Sequence, residues 1–389
     1  MPISSIAVVG AGNGGCAAAA QLAQRGFDVR LFGRSHSSIE PLRAIGGIEY
    51  EGALGEGFAS LALITSDLGA AVAGAELVLI MVPTHAHEEV ARLLGPHIES
   101  DQIVMAAPGH TLLLIPRTLR AAGARLGVYC DSSSLPFICR KSAPQRINIT
   151  RVAQILYFSA FPGTHVEAVA QRVRHVFPQI APQPSLLYTV FPYTNAIHHP
   201  PALLLNVGRV EATGGDYYHY YEGITPSVGR LIDALVAERI AVAAGLGVAI
   251  EPLPQFFFRM GYTNAAGRDC GTAYGVFHNS EPNRRIRAPA SIDHRFFNED
   301  VPYGLVAISE LGRVAGVPTP AVDAVIAIAA IAAARDFRRE GLTCERMGIG
   351  GMDAAALREL LWTGKASWDH AKLSSGTVPP SNRGPQGGD

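Results

Sequence analysis

A glycine-rich loop near the amino terminus places the strongest constraint on the fold of this chain. Residues Gly10-Ala11-Gly12-Asn13-Gly14-Gly15 fit the pattern G-x-G-x-x-G and directly follow a short apolar run at residues 6–9. An Ala-rich helix is predicted over residues 16–25, with Gly26 as its stop signal, and a second strand over residues 27–32. A glycine loop between a strand and a helix, with a second strand to follow, is typical of a dinucleotide-binding Rossmann domain.

The glycines of this loop have separate roles in such a turn. Gly10 allows the tight turn, Gly12 lets the backbone approach the pyrophosphate, and Gly15 lets the helix pack on the strand. Asn13 and Gly14 complete the loop. The phosphates are expected at the helix N-terminus, where free N–H groups and the helix dipole favour anions.

The end of the second strand predicts which cofactor is used. NAD-binding domains tend to place Asp or Glu there to bond the ribose 2′-hydroxyl. Here the strand is followed by Gly33-Arg34-Ser35, in which Arg34 can pair with a 2′-phosphate and Ser35 can donate to it. NADP(H) is therefore predicted to be favoured over NAD(H), the alternative being that Arg34 is a solvated surface charge. Pro83, which closes a buried strand at residues 77–82, is expected at the same cofactor site.

The pattern of apolar residues divides the chain into two domains and a tail. Strands alternating with helices predict an α/β domain over residues 1–186, a doubly wound parallel sheet that binds NAD(P). Helical spacing then predicts an all-helical C-terminal domain over residues 187–365, where Thr225-Pro226 and Thr319-Pro320 each pair an N-cap with a proline at the first helical position. Residues 366–389 carry Ser, Gly and Pro clusters and are predicted to be a disordered tail.

Composition excludes several other classes of protein. A formal net charge of −1 gives no global reason to bind nucleic acid or an anionic membrane. Five cysteines without a C-x-x-C pair argue against a disulfide framework and suit a reducing compartment. No signal-peptide pattern is found, so a cytoplasmic protein is expected. The apolar stretch at residues 321–334 is too short to span a bilayer and predicts a buried helix, which serves as core or as a homodimer interface.

Three segments of the second half carry candidate chemistry. In the first, Asn195-Ala-Ile-His-His199-Pro200, the residue before proline is disfavoured in a helix. His199 is therefore expected at a break, with a helix starting at Pro200, a placement that can aim the imidazole into a cleft. The second segment, residues 220–229, is a turn into a capped helix, and the third is residues 295–312.

In this order and spacing, behind a G-x-G-N-x-G loop, the three segments resemble the opine dehydrogenase (octopine/nopaline dehydrogenase) family from about residue 6 to about residue 350. The resemblance implies an NAD(P)H-dependent reductive condensation of an α-keto acid, such as pyruvate, with the amino group of an amino acid. It also implies roles for individual residues. His199 and Asp300 would be catalytic, and Arg295 and Asn195 would bind substrate.

These residue types suit that chemistry. The carbinolamine must lose water and the imine must be protonated, so a group that titrates near neutrality is useful. A carboxylate on the other ring nitrogen of His199 would fix its tautomer, and Arg295 can hold a substrate carboxylate through two parallel hydrogen bonds. From the residues alone other roles stay open: His199 as a core histidine, Asp300 as a helix cap and Arg295 as an interdomain salt bridge.

The sequence departs from the family pattern at one informative place. Family members that use arginine carry an acidic residue where this chain has Ser133, so a neutral amino acid is expected as the amine. Asp131 lies close enough in sequence to leave this open. Four tyrosines within residues 217–221 would line an amino-acid pocket or pack within a turn.

Two other functions remain open. Ketopantoate reductases and β-hydroxyacid dehydrogenases use a lysine near the start of the helical domain, and the absence of lysine between Lys141 and Lys365 weighs against them. A redox sensor that binds NADP without catalysis would tolerate loss of the acid–base pair, which is nevertheless present. No metal is predicted, because His85-x-His87 and the pair His198-His199 lack further ligands.

Overall fold

A computed structural model describes residues 2–365, and Met1 and residues 366–389, which include the predicted tail, lie outside the described residues. The strands, labelled in chain order, are β1 Ser5–Val9, β2 Asp28–Phe32, β3 Gly47–Gly52, β4 Gly57–Ser60, β5 Leu63–Thr65, β6 Leu77–Ile80, β7 Ile103–Ala106, β8 Val128–Ser132, β9 Phe137–Ala143, β10 Arg146–Val152, β11 Leu156–Phe161 and β12 Ile180–Pro182.

The helices are numbered in the same way. They are α1 Asn13–Gln24, α2 His36–Ile45, α3 Leu68–Val72, α4 His87–Leu94, α5 Leu114–Ala121, α6 Val166–Val173, α7 Leu187–Val190, α8 Asn195–Leu204, α9 Val207–Thr213, α10 Pro226–Gly245, α11 Leu253–Arg259, α12 Ala265–Asp269, α13 Ala273–His278, α14 Arg295–Asn298, α15 Val306–Ala315, α16 Pro320–Ala333, α17 Phe337–Glu340, α18 Cys344–Met347 and α19 Ala354–Thr363. A π-helical turn, Val301–Leu305, joins α14 to α15.

The first half is a Rossmann domain, as predicted. Its eight-stranded sheet has the order β12-β11-β8-β7-β6-β1-β2-β5. Neighbouring strands pair in parallel except β11, which runs antiparallel to β8. Strand β1 lies between β2 and β6, so the loop after β1 opens at the carboxyl edge of the sheet, where ligands of such folds bind.

A second sheet in this half was not predicted. It has four strands in the order β4-β3-β10-β9, and it packs on α1. Helix α1 is buried from Gly15 to Ala20 and lies between the two sheets. Its run of alanines follows from this position, because small side chains allow backbones on both sides to approach closely.

The second half is helical, which confirms the predicted fold class. Its core is a separate apolar cluster, while Val242 of α10 and Leu311 of α15 join the cluster on one face of the Rossmann sheet. Helix α10 begins at Pro226 with the Thr225 hydroxyl accepting from the Val228 N–H, so this predicted cap is present.

One expectation about an individual helix is wrong. Helix α8 runs through His199, Pro200 and Pro201 instead of starting at Pro200. All its residues from Ala196 to Leu203 are buried, and this packing outweighs the hydrogen bonds that the prolines remove. Helix α16 buries one face only, since Ile331 of its other face is 81% exposed. In the part of the chain described here, no helix is long and apolar enough to cross a membrane.

Candidate functional site

The glycine loop has the geometry that a bound pyrophosphate requires. Gly10 has φ +122°, and a Cβ there would lie 2.6 Å from the Met81 carbonyl oxygen. A Cβ on Gly15 would lie 1.7 Å from the Gly10 carbonyl oxygen, so the helix approaches the loop more closely than any side chain permits. The Cβ direction of Gly12 meets no atom within 4 Å. That open space lies at the N-cap of α1, so the residues present fit a dinucleotide.

The rest of the loop is held by the second sheet. The Asn13 side-chain oxygen accepts from the Lys141 N–H of β9 at 2.9 Å. Gly14 faces Leu135, whose Cδ2 would lie 2.9 Å from a Cβ on that glycine. Pro83 is exposed just after β6, next to the loop that follows the strand. All three residues therefore lie at the carboxyl edge of the sheet.

Arg34 and Ser35 lie at the end of β2, as expected, but Arg34 has a partner there. Its guanidinium is exposed and bonds both carboxylate oxygens of Glu89 at 3.0 and 3.1 Å. The Ser35 hydroxyl caps α2 by accepting from the Ser38 N–H. No Asp or Glu follows β2 directly in sequence, but the carboxylate of Glu89 in α4 lies at the end of this strand because it bonds Arg34.

A chain of hydrogen bonds joins two candidate catalytic residues in the helical domain. The Nδ1 of His199 lies 2.7 Å from an Asp300 carboxylate oxygen, and its Nε2 lies 2.7 Å from the Tyr220 hydroxyl. The Tyr193 hydroxyl donates to the other carboxylate oxygen of Asp300. The ring of His199 stacks on Phe296 at 3.8 Å between centroids. Both ring nitrogens are therefore engaged, and the ring plane is clamped.

Burial sets the charges of this pair. It lowers the pKa of His199 well below the usual range and raises the pKa of Asp300 to about 6. At neutral pH the imidazole is therefore neutral and the carboxyl is ionised. A neutral imidazole can take a proton, and the adjacent carboxylate stabilises the imidazolium that forms. Asp300 also stands at the N-cap of the π-helical turn, a rare geometry that is frequent at functional sites.

Arg295 lies at the junction of the two domains. Its Nε is 3.2 Å from a carboxylate oxygen of Glu299, whose other oxygen accepts from the Thr84 N–H at 3.0 Å. Thr84 belongs to the loop after β6, so Glu299 links the cofactor side to the helical domain. Sequence reasoning did not single out Glu299.

A cavity of about 280 Å³ opens beside these groups. It is lined from the Rossmann side by the loops after β6, β7 and β8, and from the helical side by Tyr193, Asn195 and Arg295. His199 and Asp300 are not among its lining residues. Asp300 lies behind Tyr193, which bonds it and faces the cavity, and His199 is reached only through Asp300.

His110 is a further site residue that sequence reasoning missed. It follows β7 with a left-handed φ of 57°, a conformation that is strained for a residue with a side chain. Its ring stacks on Tyr193 at 4.2 Å, and burial lowers its pKa to about 4. Its place after the carboxyl end of a parallel strand was a usable signal, since such positions carry ligand-binding residues.

The structure places Asp131, which lies in β8, and Ser133, which follows that strand, in different surroundings. Ser133 lines the cavity. Asp131 is fully buried beneath Gly109, does not line the cavity, and burial raises its pKa well above the ordinary value. Asp131 is therefore not placed to meet a substrate guanidinium.

The remaining candidates are packing residues in this structure. Of the four tyrosines at residues 217–221, none lines the cavity; Tyr220 bonds His199 instead. His198 is buried against Phe257 and Phe277. Among residues 2–365 no group of three or more His, Cys, Asp or Glu side chains is arranged to hold a metal ion.

The fold and the site together define an NAD(P)-dependent oxidoreductase. Comparison with known proteins refines this class. Residues 182–333 match the family model "NAD/NADP octopine/nopaline dehydrogenase, alpha-helical domain", and residues 5–109 match the N-terminal domain of NAD-dependent glycerol-3-phosphate dehydrogenase. An opine dehydrogenase of Arthrobacter sp. is 35% identical over 354 residues, which cover 90% of this chain and 97% of that protein.

Solved structures agree on the fold. Octopine dehydrogenase with NADH and L-arginine superposes with a TM-score of 0.76 at 18% identity, covering 93% of this chain and 98% of that one. Yersinopine dehydrogenase with NADP+ gives 0.70 at 18% identity, covering 94% and 99%. The chain belongs to the opine dehydrogenase family, and it is an NAD(P)-dependent oxidoreductase acting on CH–NH donors.

Proposed function

We propose that this protein catalyses the NADPH-dependent reductive condensation of an α-keto acid, such as pyruvate, with the amino group of a neutral amino acid. The observation that carries the proposal is the 2.7 Å bond between His199 and Asp300, directly behind a cavity that Arg295 lines. Family membership supplies the reaction class, and the geometry supports the roles of the residues.

The roles follow from the chemistry of imine formation. Arg295 binds the keto-acid carboxylate, and Asn195 lines the same cavity. The amine attacks the keto carbon, and the two protons that its nitrogen loses pass to the keto oxygen, which leaves as water. His199 and Asp300 exchange these protons with the reacting atoms through the Tyr193 hydroxyl, which bonds Asp300 and lines the cavity. Neutral His199 takes each proton in turn, Asp300 stabilises the imidazolium, and the imidazolium returns the proton. With its pyrophosphate held at the glycine loop, NADPH would supply the hydride that reduces the imine carbon.

The preference for NADP(H) rests on Arg34, Ser35 and the N-terminus of α2, which Ser35 caps. A 2′-phosphate can replace Glu89 as the partner of Arg34. We expect Arg34→Ala to raise the KM for NADPH about tenfold and that for NADH much less. Glu89→Gln is the matched control and should lower the KM for NADPH. A wild-type enzyme that prefers NADH would contradict this part of the proposal.

The reaction itself is tested by a panel assay. Purified protein is mixed with NADPH, pyruvate and single amino acids, and loss of the reduced-nicotinamide absorbance is followed. Consumption that requires both the keto acid and a neutral amino acid supports the proposal. Consumption with a keto acid alone indicates a hydroxyacid dehydrogenase, and no consumption with any pair favours a protein that binds the dinucleotide without catalysis.

A further inference from the structure

Three guanidinium groups line the cavity: those of Arg151, Arg259 and Arg295. The carboxylate that lines it is Glu299, which already bonds Arg295 and a backbone N–H. The cavity lining therefore carries an excess of positive charge, which favours an anionic ligand.

Two of the three arginines are already neutralised by protein carboxylates. The Nε of Arg259 bonds both oxygens of Glu251, at 3.1 and 2.9 Å, and its Nη2 donates to the Tyr157 hydroxyl at 2.8 Å. Arg295 pairs with Glu299. Arg259 therefore needs no ligand to complete its hydrogen bonds, whereas the pair of Arg295 with Glu299 engages only the Nε of that arginine.

Arg151 differs from both. It is partly buried on β10, opposite Ile138 of β9. Across residues 2–365 its guanidinium has no carboxylate within salt-bridge distance and makes no hydrogen bond to a protein acceptor. Its two terminal nitrogens each lie 3.3 Å from the point where a Cβ on Gly261 would be, so the backbone after α11 leaves room for the group. The guanidinium is held at the cavity wall with its donors unused.

Part of the cavity lining is apolar. Ile138 and Ile155 line the cavity, and they remain 49% and 40% exposed. Phe256 and Met260 face them from α11 and the residue after it. Exposed apolar side chains around an unpaired cation fit the carbon chain and the carboxylate of one ligand.

We propose that Arg151 binds a carboxylate of the amino-acid co-substrate. This inference rests on the proposed function, in which the condensation product carries a carboxylate from each reactant. Arg295 holds the carboxylate of the keto acid, and Arg151 is the remaining cation with free donors. A carboxylate that replaces water at a guanidinium forms two charge-assisted hydrogen bonds, which are among the stronger polar contacts in proteins. In a neutral amino acid this is the α-carboxylate, and an acidic amino acid tests whether a side-chain carboxylate takes its place.

Steady-state kinetics with three amines tests the assignment and separates these sources. The amines are norvaline, glutamate and butylamine, the last of which lacks a carboxylate. We expect Arg151→Gln to raise the KM of the carboxylate-bearing amine about 10- to 100-fold, while kcat and the KM values for pyruvate and NADPH stay close to wild type. Arg151→Lys should restore part of the loss. Arg140→Gln, which removes an exposed arginine on the adjacent strand outside the cavity, is the matched control.

Butylamine, which has no carboxylate, should show the same KM in wild type and Arg151→Gln, and the other two amines separate the sources of the carboxylate. A raised KM for norvaline and glutamate alike assigns the α-carboxylate, and a raised KM for glutamate alone assigns a side-chain carboxylate. Equal KM values for wild type and Arg151→Gln with all active amines would overturn the assignment. If the wild type uses no amine with pyruvate, the proposed function fails. Calorimetric titration of norvaline and glutamate into wild type and Arg151→Gln then decides the carboxylate site independently of turnover.

Discussion

Replacing Asp300 by asparagine should separate stability from activity. Burial raises the pKa of Asp300 from 3.8 to about 6. Because the folded protein holds the proton more tightly than the unfolded chain, stability from this group is present below about pH 4 and is lost as the pH rises to about 6. Each pKa unit corresponds to about 1.4 kcal/mol, so the ionised carboxyl costs about 3 kcal/mol at neutral pH.

The Asp300→Asn variant would avoid that cost and keep the hydrogen bonds. The introduced amide oxygen can still accept from the Tyr193 hydroxyl, and the introduced NH2 group can donate to Nδ1 of His199. The imidazole proton then moves to Nε2, which is the wrong tautomer for a base. By analogy with the same change in serine protease triads, we expect turnover to fall by about 10²–10⁴-fold.

Denaturant titrations at about pH 4 and pH 7 measure the free energy of unfolding, and the panel assay measures turnover. We expect Asp300→Asn to equal wild type near pH 4 and to be more stable by up to about 3 kcal/mol at pH 7. Asp101→Asn, at an exposed position, should change neither property. A variant that is both active and less stable than wild type at pH 7 would refute the reasoning.

Two further changes test the catalytic and cofactor sites. His199→Ala should lower turnover at least about 10²-fold while NADPH binding, measured by fluorescence titration, is unchanged; near wild-type turnover would remove His199 from the mechanism. Gly15→Ala should abolish NADPH binding, because its Cβ would lie 1.7 Å from the Gly10 carbonyl oxygen. Gly208→Ala, whose Cβ meets nothing within 4 Å, is the control, and equal dissociation constants for the two variants would contradict the role of Gly15.

Local patterns predicted those features whose physical cause is local. The dinucleotide loop at residues 10–15 could be predicted from the sequence, because the steric limits on its glycines arise within one strand–turn–helix unit. The start of α10 could likewise be predicted, because Thr225 caps a backbone N–H three residues away. Local rules failed at His199, where the prolines that follow it predicted a break and packing on every side keeps the helix continuous.

The family resemblance named His199, Asp300 and Arg295, but not the groups that hold them. Tyr193, Tyr220 and Glu299 are ordinary residues in sequence, and each gains its place from a contact with a distant segment. The bond between Thr84 and Glu299 joins residues 215 positions apart. Sequence periodicity and motif spacing do not predict contacts between residues so far apart in the chain.

Residue order alone determined the class of fold and the dinucleotide loop, because these depend on propensities and sterics over a few residues, and the resemblance to a family predicted the segments that carry the candidate catalytic residues. The folded chain settled which side chains share a cavity, which arginine keeps its donors free, and that Glu89 reaches Arg34. Those outcomes depend on how distant strands and helices pack, since the charge and hydrogen bonding of a buried group are set by whatever surrounds it.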